Sequence, residues 1–183
     1  MVTVDHARSA ASAIVLFAVL LITGCASAPP APADDYPAIT LAESKSTVQL
    51  LRNSAETRID AEVVESRTET DESVACLDPA DDPEGEIRRW LSSTEVQLVR
   101  WHAWRVADVA DILIATFVNQ SWFTIEGNAQ FGGEATLLTS GKGATTIQVE
   151  SVGDDESATL HITVNGPCVR TAGAESDEVT GLQ

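Results

Sequence analysis

The side chains that could do covalent or metal chemistry in this chain are few and widely spaced. Cysteines stand at 25, 76 and 168 and histidines at 6, 102 and 161. No two cysteines fall in a CxxC redox pair or in the paired-ligand spacing of a zinc site. GxSxG, HExxH and SxxK are all absent. Thr139-Ser140-Gly141-Lys142 puts Thr where the SxxK nucleophile belongs. Ser140-Gly141-Lys142-Gly143 lacks the Walker spacing and reads as a hairpin turn. A hand-type calcium loop wants oxygen ligands at its first, third and fifth positions and Gly at its sixth. Counted from Asp78, the third position is Ala80 and the sixth is Pro83, so the pattern fails. Only a looser acidic cation site could form there or at Asp154-Asp155-Glu156. No catalytic residue, metal or cofactor is therefore assigned.

The second chemical feature is aromatic. Trp101 and Trp104 stand three apart, flanked by Arg100 and Arg105, at the start of the strongest helical pattern in the chain. Trp and Arg dominate binding hot spots, so Trp101, Trp104 and Arg105 form a possible binding ledge for a sugar, peptide or lipid. Packing is the competing role, because few other large aromatics exist to fill the core. His102 sits between them as an ordinary first-turn residue. His161 alternates with Leu160 and Ile162 and is expected on the open face of a sheet.

Cys25 differs from the other two cysteines in context. Ile14 to Ile22 is an unbroken run of nine apolar residues behind a weakly basic start carrying Arg8. That is far short of the roughly 20 residues a spanning helix needs and has the length of a signal-peptide core. The run ends in Leu21-Ile22-Thr23-Gly24-Cys25. This resembles the lipobox of bacterial lipoproteins: an aliphatic residue, a small or hydroxyl residue, Gly or Ala, then Cys. The resemblance implies cleavage between Gly24 and Cys25 and transfer of diacylglycerol to the Cys25 thiol. It also implies that the membrane is a partner through that lipid, on the outer face of the cell membrane. Two acyl chains anchor stably where one does not. Asp5 departs from the usual basic start. Residues 26–38 hold four of the seven prolines and read as an extended tether.

With Cys25 lipidated, Cys76 and Cys168 have one possible pairing. An oxidising compartment makes a structural disulfide the expectation.

Loss of residues 1–24 removes Asp5 and Arg8 and leaves 27 acids against 10 bases. Such a surface repels phosphate backbones, and no nucleic-acid partner is expected. It also opposes adsorption to anionic headgroups. Solvation is the simplest role for the acidity, with cation or basic-partner binding the other. The 44% hydrophobic content suits one folded domain rather than a disordered chain.

The elements that would position these residues follow from periodicity. Thr40 and Glu43 fit a capping box, and Val48, Leu51, Ala55 and Ile59 follow at helical steps, predicting a helix over 41–58. Val63 to Cys76 predicts one long strand or a bent pair, and Glu86 to Leu98 a second strand with a break possible at Ser92-Ser93. Asp78 to Gly85 is a loop. Trp101 to Asn119 predicts a helix with the stripe Val106, Val109, Ala110, Leu113 and Phe117. Ile112, Ile114 and Val118 on its other faces leave open whether it is buried on more than one side. Short strands follow at Phe123 to Glu126 and Ala135 to Ser140. A hairpin then joins Thr145–Ser151 to Leu160–Val164, with Thr146, Gln148, Glu150, Thr159, His161 and Thr163 on a wet face.

The expected architecture is an α+β domain with two helices packed on one face of an antiparallel sheet of about five to six strands. Its boundaries are residues 1–24 as signal peptide, 25–39 as lipidated cysteine and tether, 40–170 as the domain and 171–183 as a disordered tail. The layout, with scarce Lys beside abundant Ala, Asp and Arg, broadly resembles small lipoproteins of high-GC Gram-positive bacteria. That likeness carries no functional residues. The expected function is a non-catalytic envelope module binding an envelope protein or cell-wall component. The alternative is a small secreted hydrolase working through an acidic residue pair.

The tryptophans supply a test. Trp101 lies near the edge of the apolar stripe and Trp104 on its flank, so Trp101→Ala should destabilise the domain more, by about 3 to 5 kcal/mol if its ring is buried. Denaturant unfolding of both variants measures this. Equal small losses would put both rings on the surface.

Overall fold

The structure, a computed structural model, describes residues 36–100, 105–140, 145–154 and 157–183. Thr40 begins the first helix, α1 (Leu41–Glu56), as its sequence dictates. The Glu43 amide donates to Thr40 Oγ1 at 3.1 Å, and the Thr40 amide donates to Glu43 Oε2 at 2.8 Å. Two otherwise orphaned amides are satisfied reciprocally. Leu41, Ser44, Val48, Arg52 and Ala55, at steps of three and four, form the buried face.

A short 3-10 turn (Ala61–Val63) leads into β1 (Val64–Ala75) and then β2 (Ile87–Leu98). Helix α2 (Val106–Asn119) follows, then β3 (Phe123–Glu126), β4 (Glu134–Thr139), β5 (Thr146–Gly153), β6 (Ala158–Asn165), β7 (Val169–Arg170) and a single helical turn, α3 (Asp177–Thr180). The seven strands form one antiparallel sheet in the order β1-β2-β6-β5-β4-β3, with β7 beside the start of β2. This is the expected α+β class. The sheet is slightly larger than expected because two-residue β7 continues the line of β6.

Register shows which side the helices cover. Asp71, Ser92, Val164 and Ile147 oppose one another across four strands, and Thr94, Ile162, Val149 and Thr136 form the neighbouring row on the same face. Arg52 of α1 reaches Asp71, and α2 lies over Thr136 and Val149. Both helices therefore pack on one face. Trp90, Val96, Leu98, Leu113, Phe117, Leu138, Leu160 and Ile162 are buried between helices and sheet. Each such side chain contributes about 1.5 to 3 kcal/mol. Gly166 permits the close approach of α1, since a Cβ there would stand 2.1 Å from Ser44 Oγ.

Several details differ from expectation. β1 is one strand with an irregularity between Val64 and Ser66, and β2 runs unbroken through Ser92-Ser93. α2 is buried on one side only. Ile112 is 54% exposed and Val118 43%, because nothing among the described residues packs against the helix's outer face. The 171–183 segment is folded, not a disordered tail. Val179 is fully buried, Leu182 packs on the core, and the Thr171 amide and hydroxyl donate to Glu86 O at 2.7 and 3.0 Å. Two apolar residues three apart suffice to dock one helical turn. The domain also begins before residue 40, since the Tyr36 ring lies 5.9 Å from the Arg170 guanidinium. None of the helices among the described residues is long and apolar enough to cross a membrane.

Cys76 and Cys168 are disulfide-bonded across 92 residues, as expected. The bridge joins the end of β1 to the segment just before β7, and the Cys76 amide donates to Ile87 O at 2.9 Å. Cys168→Ser should remove about 4 kcal/mol in the chain-entropy account and lower the melting temperature by roughly 10 °C or more. Alkylation of the unreduced protein should leave both cysteines unmodified. Free thiols at both positions would refute the bridge.

Candidate functional site

The sheet face away from the helices carries a polar concavity. Two adjacent rows cross it. Thr68, Glu95, His161 and Glu150 oppose one another on β1, β2, β6 and β5, and Thr70, Ser93, Thr163 and Gln148 do the same one step along. Antiparallel strands place such opposed side chains about 4.5 to 5.5 Å apart at Cβ. The β1, β2 and β6 members line a groove of about 190 Å³, and Phe131 closes its far side. The hydroxyls of Thr68, Thr70, Ser93 and Thr163 and the Glu95 carboxylate have no side-chain hydrogen bond among the described residues.

The β5 members behave differently, and the wet-face expectation fails there. Glu150 is fully buried and Gln148 is 8% exposed. The segment Gly127-Asn128-Ala129-Gln130-Phe131-Gly132-Gly133, between β3 and β4, folds over them. Glu150 Oε2 accepts from the Gln130 amide at 2.7 Å, and Oε1 accepts from the Phe131 and Gly133 amides at 2.7 and 3.1 Å. Gln148 Nε2 donates to Asn128 O at 3.1 Å and to Glu150 at 3.4 Å. Burial pushes the Glu150 pKa up, but the amides of Gln130, Gly133 and Phe131, with the Gln148 side chain, outweigh it and hold the carboxyl below the ordinary glutamate value. Glycine is required at position 133, where a Cβ would meet Ser151 O at 1.9 Å. The consequence is aromatic placement: the Phe131 ring lies on His161, centroids 3.8 Å apart and planes 12° apart, yet stays 52% exposed.

A second charged cluster lies under α1 and is structural. Arg52, 4% exposed, pairs with Glu69 at 2.6 Å, Asp71 at 3.0 Å and Glu56 at 3.5 Å. Asp71 also accepts from Trp90 Nε1 at 3.1 Å. Burial pushes the Asp71 pKa up, but neighbouring hydrogen bonds and Arg52 outweigh it, so the carboxyl stays below its usual value. These contacts fasten α1 to β1 and β2.

Of the residues singled out from sequence, His161 lies in the groove, on the open face as expected. Trp101, Trp104 and His102 lie outside the described residues, as do Gly24, Cys25 and the turn at 141–143. Arg105 is half-buried and lines a separate cavity of about 100 Å³ with Arg58, Asp60 and Val109. In the Asp78–Glu86 loop, Asp78 and Asp82 are spent on nearby backbone amides, and Glu86 pairs with Arg170 at 2.7 Å. Asp82 accepts from the Glu86 and Ile87 amides at 2.9 and 2.7 Å, and Asp78 from Ala80 at 2.9 Å. No group of three or more metal-binding side chains comes together among the described residues. The burial of Glu150 and Gln148 and the placement of Phe131 are not read from the sequence. The available signals were an isolated aromatic in a glycine-rich connection and a Glu in the middle of a β-branched strand.

The fold and groove together define a one-sided α+β sheet domain with a roofed polar groove on its uncovered face. No protein-family model, curated protein or solved structure matches the chain.

The latch has a predictable pH dependence. A folded-state pKa below the unfolded one gives stability that is complete above the ordinary glutamate value and is lost as pH falls through the lowered one. Glu150→Gln should cost about 2 kcal/mol at neutral pH, because buried amides lose a charged acceptor. It should also flatten the fall in melting temperature below about pH 4. Thermal melts across pH measure both, and a variant as stable as the parent would show that the latch contributes nothing.

Proposed function

We propose that this chain is a lipoprotein held on the outer face of the cell membrane by lipid on Cys25, and that its domain is a non-catalytic binding module of the cell envelope. The observation that carries the anchor is Leu21-Ile22-Thr23-Gly24-Cys25 closing an apolar run of nine. The Cys76–Cys168 disulfide supports an oxidising compartment. The proline-rich stretch after Cys25 would keep the groove clear of the headgroups. The partner is another envelope protein or a cell-wall component, met through the open sheet face.

The alternative hydrolase needs two carboxylates roughly 5 to 9 Å apart facing one cleft. Glu95 and Glu150 share a row across the open face. Both oxygens of Glu150, however, accept loop amides. That arrangement favours binding over hydrolysis.

Metabolic labelling with a fatty-acid probe tests the anchor. The parent chain should incorporate label and fractionate with membranes, and Cys25→Ser should do neither. Label persisting on the variant would overturn the reading.

A further inference from the structure

Resting on that binding-module reading, we propose that the open-face groove takes a single neutral saccharide ring, with Phe131 as its platform and Thr68, Ser93, Thr163 and Glu95 as its polar contacts. The first support is the donor and acceptor inventory. Hydroxyl side chains both donate and accept, and a carboxylate only accepts. With Thr70, four hydroxyls line the groove beside one carboxylate and match a ligand made of alcohols, and Glu95 repels phosphates and acidic sugars. These side chains have no hydrogen bond among the described residues, so their bonding capacity faces the groove.

The second support is the cost of placing Phe131. Burying a carboxylate is unfavourable unless it is hydrogen-bonded, and here Glu150 spends both oxygens on three amides of one loop. What this fixes is the backbone of Phe131, whose ring rests one face on His161, stays 52% exposed and lies outside the core. An apolar side chain held so firmly at the rim of a polar groove suits a ligand with both an apolar face and hydroxyl edges, as a pyranose has. Size agrees: about 190 Å³ is below the roughly 300 to 1,000 Å³ of pockets for drug-sized ligands.

The test is a titration of the full-length protein in zwitterionic detergent, read by NMR at the His161 and Phe131 rings. Glucose, galactose, mannose and N-acetylglucosamine are the probes, with glucuronate as the anionic control. At least one neutral sugar should give saturable shifts at both rings, and glucuronate should bind more weakly than glucose. Phe131→Ala should weaken binding about three- to tenfold. Thr163→Val, which leaves the loop intact, should weaken it as well. Glu95→Gln should narrow the gap between glucuronate and glucose. Absence of saturable shifts with every sugar up to about 100 mM would overturn the proposal, as would affinity unchanged in both Phe131→Ala and Thr163→Val. Cys25-dependent label is read on the same preparation. Intact label with no sugar binding sinks the ligand class alone, whereas label independent of Cys25 sinks the anchor alone.

Discussion

The pairing register of β2 with β6 is the constraint on which both faces of the domain depend. Side chains alternate along a strand with a period of two, so a slip of one residue would exchange the faces completely. In the observed register Thr94 opposes Ile162 and Val96 opposes Leu160 beneath the helices, and Glu95 opposes His161 and Ser93 opposes Thr163 on the other side. A slipped β6 would offer Leu160, Ile162 and Val164 to water and bury an imidazole and two threonines against Phe117 and Leu113. At about 1.5 to 3 kcal/mol per misplaced aliphatic side chain, that alternative loses most of a small domain's stability. The groove is thus the obligatory complement of the core.

Three buried charges occur among the described residues, Arg52 with Glu56 under α1 and Glu150 on the open face, and the two sites resolve them by different means. Arg52 meets carboxylates from its own helix and from β1, which joins layers. An ion pair of this kind contributes little net stability but is costly to break, so its effect is to specify how α1 sits. Glu150 meets no cation among the described residues. Its charge is solvated by three amides of one loop together with the Gln148 side chain, which serves to shape that loop. The first arrangement tolerates exposure on the Glu69 side; the second needs glycine at position 133 and a sealed sheet face.

The helices and central strands were legible because each carries one strong period. Thr40 with Glu43 marked the start of α1, and Leu160, Ile162 and Val164 marked the inner face of β6. The disulfide was legible because, with Cys25 set aside, only one pairing was possible. The folded end of the chain was not, since Val179 and Leu182 are two apolar residues in a polar stretch and their docking depends on a surface built elsewhere. The groove's roof was illegible for a related reason. Alternation puts Glu150 on the same face as His161, but burial there is decided by a connection whose path follows from amide geometry, which leaves no periodic trace.

The edges of the sheet narrow where recognition can take place. β1 presents a twelve-residue edge, long enough to recruit a foreign strand, but Glu65, Arg67, Glu69 and Glu72 crowd it with charge. Charged side chains on an edge oppose pairing with another chain. The opposite edge, β3, has four residues and offers few backbone groups. One sheet face is closed by α1 and α2. On the other, β5 is sealed by the β3–β4 connection, and the groove over β1, β2 and β6 is left with hydroxyls, one carboxylate and one imidazole beside an aromatic ring. Acidity of this degree disfavours ligands carrying phosphate or carboxylate, and a hydroxyl-lined face favours hydrogen-bonding groups over bulk apolar surface. The groove meets those terms where the guarded edges and the covered face do not.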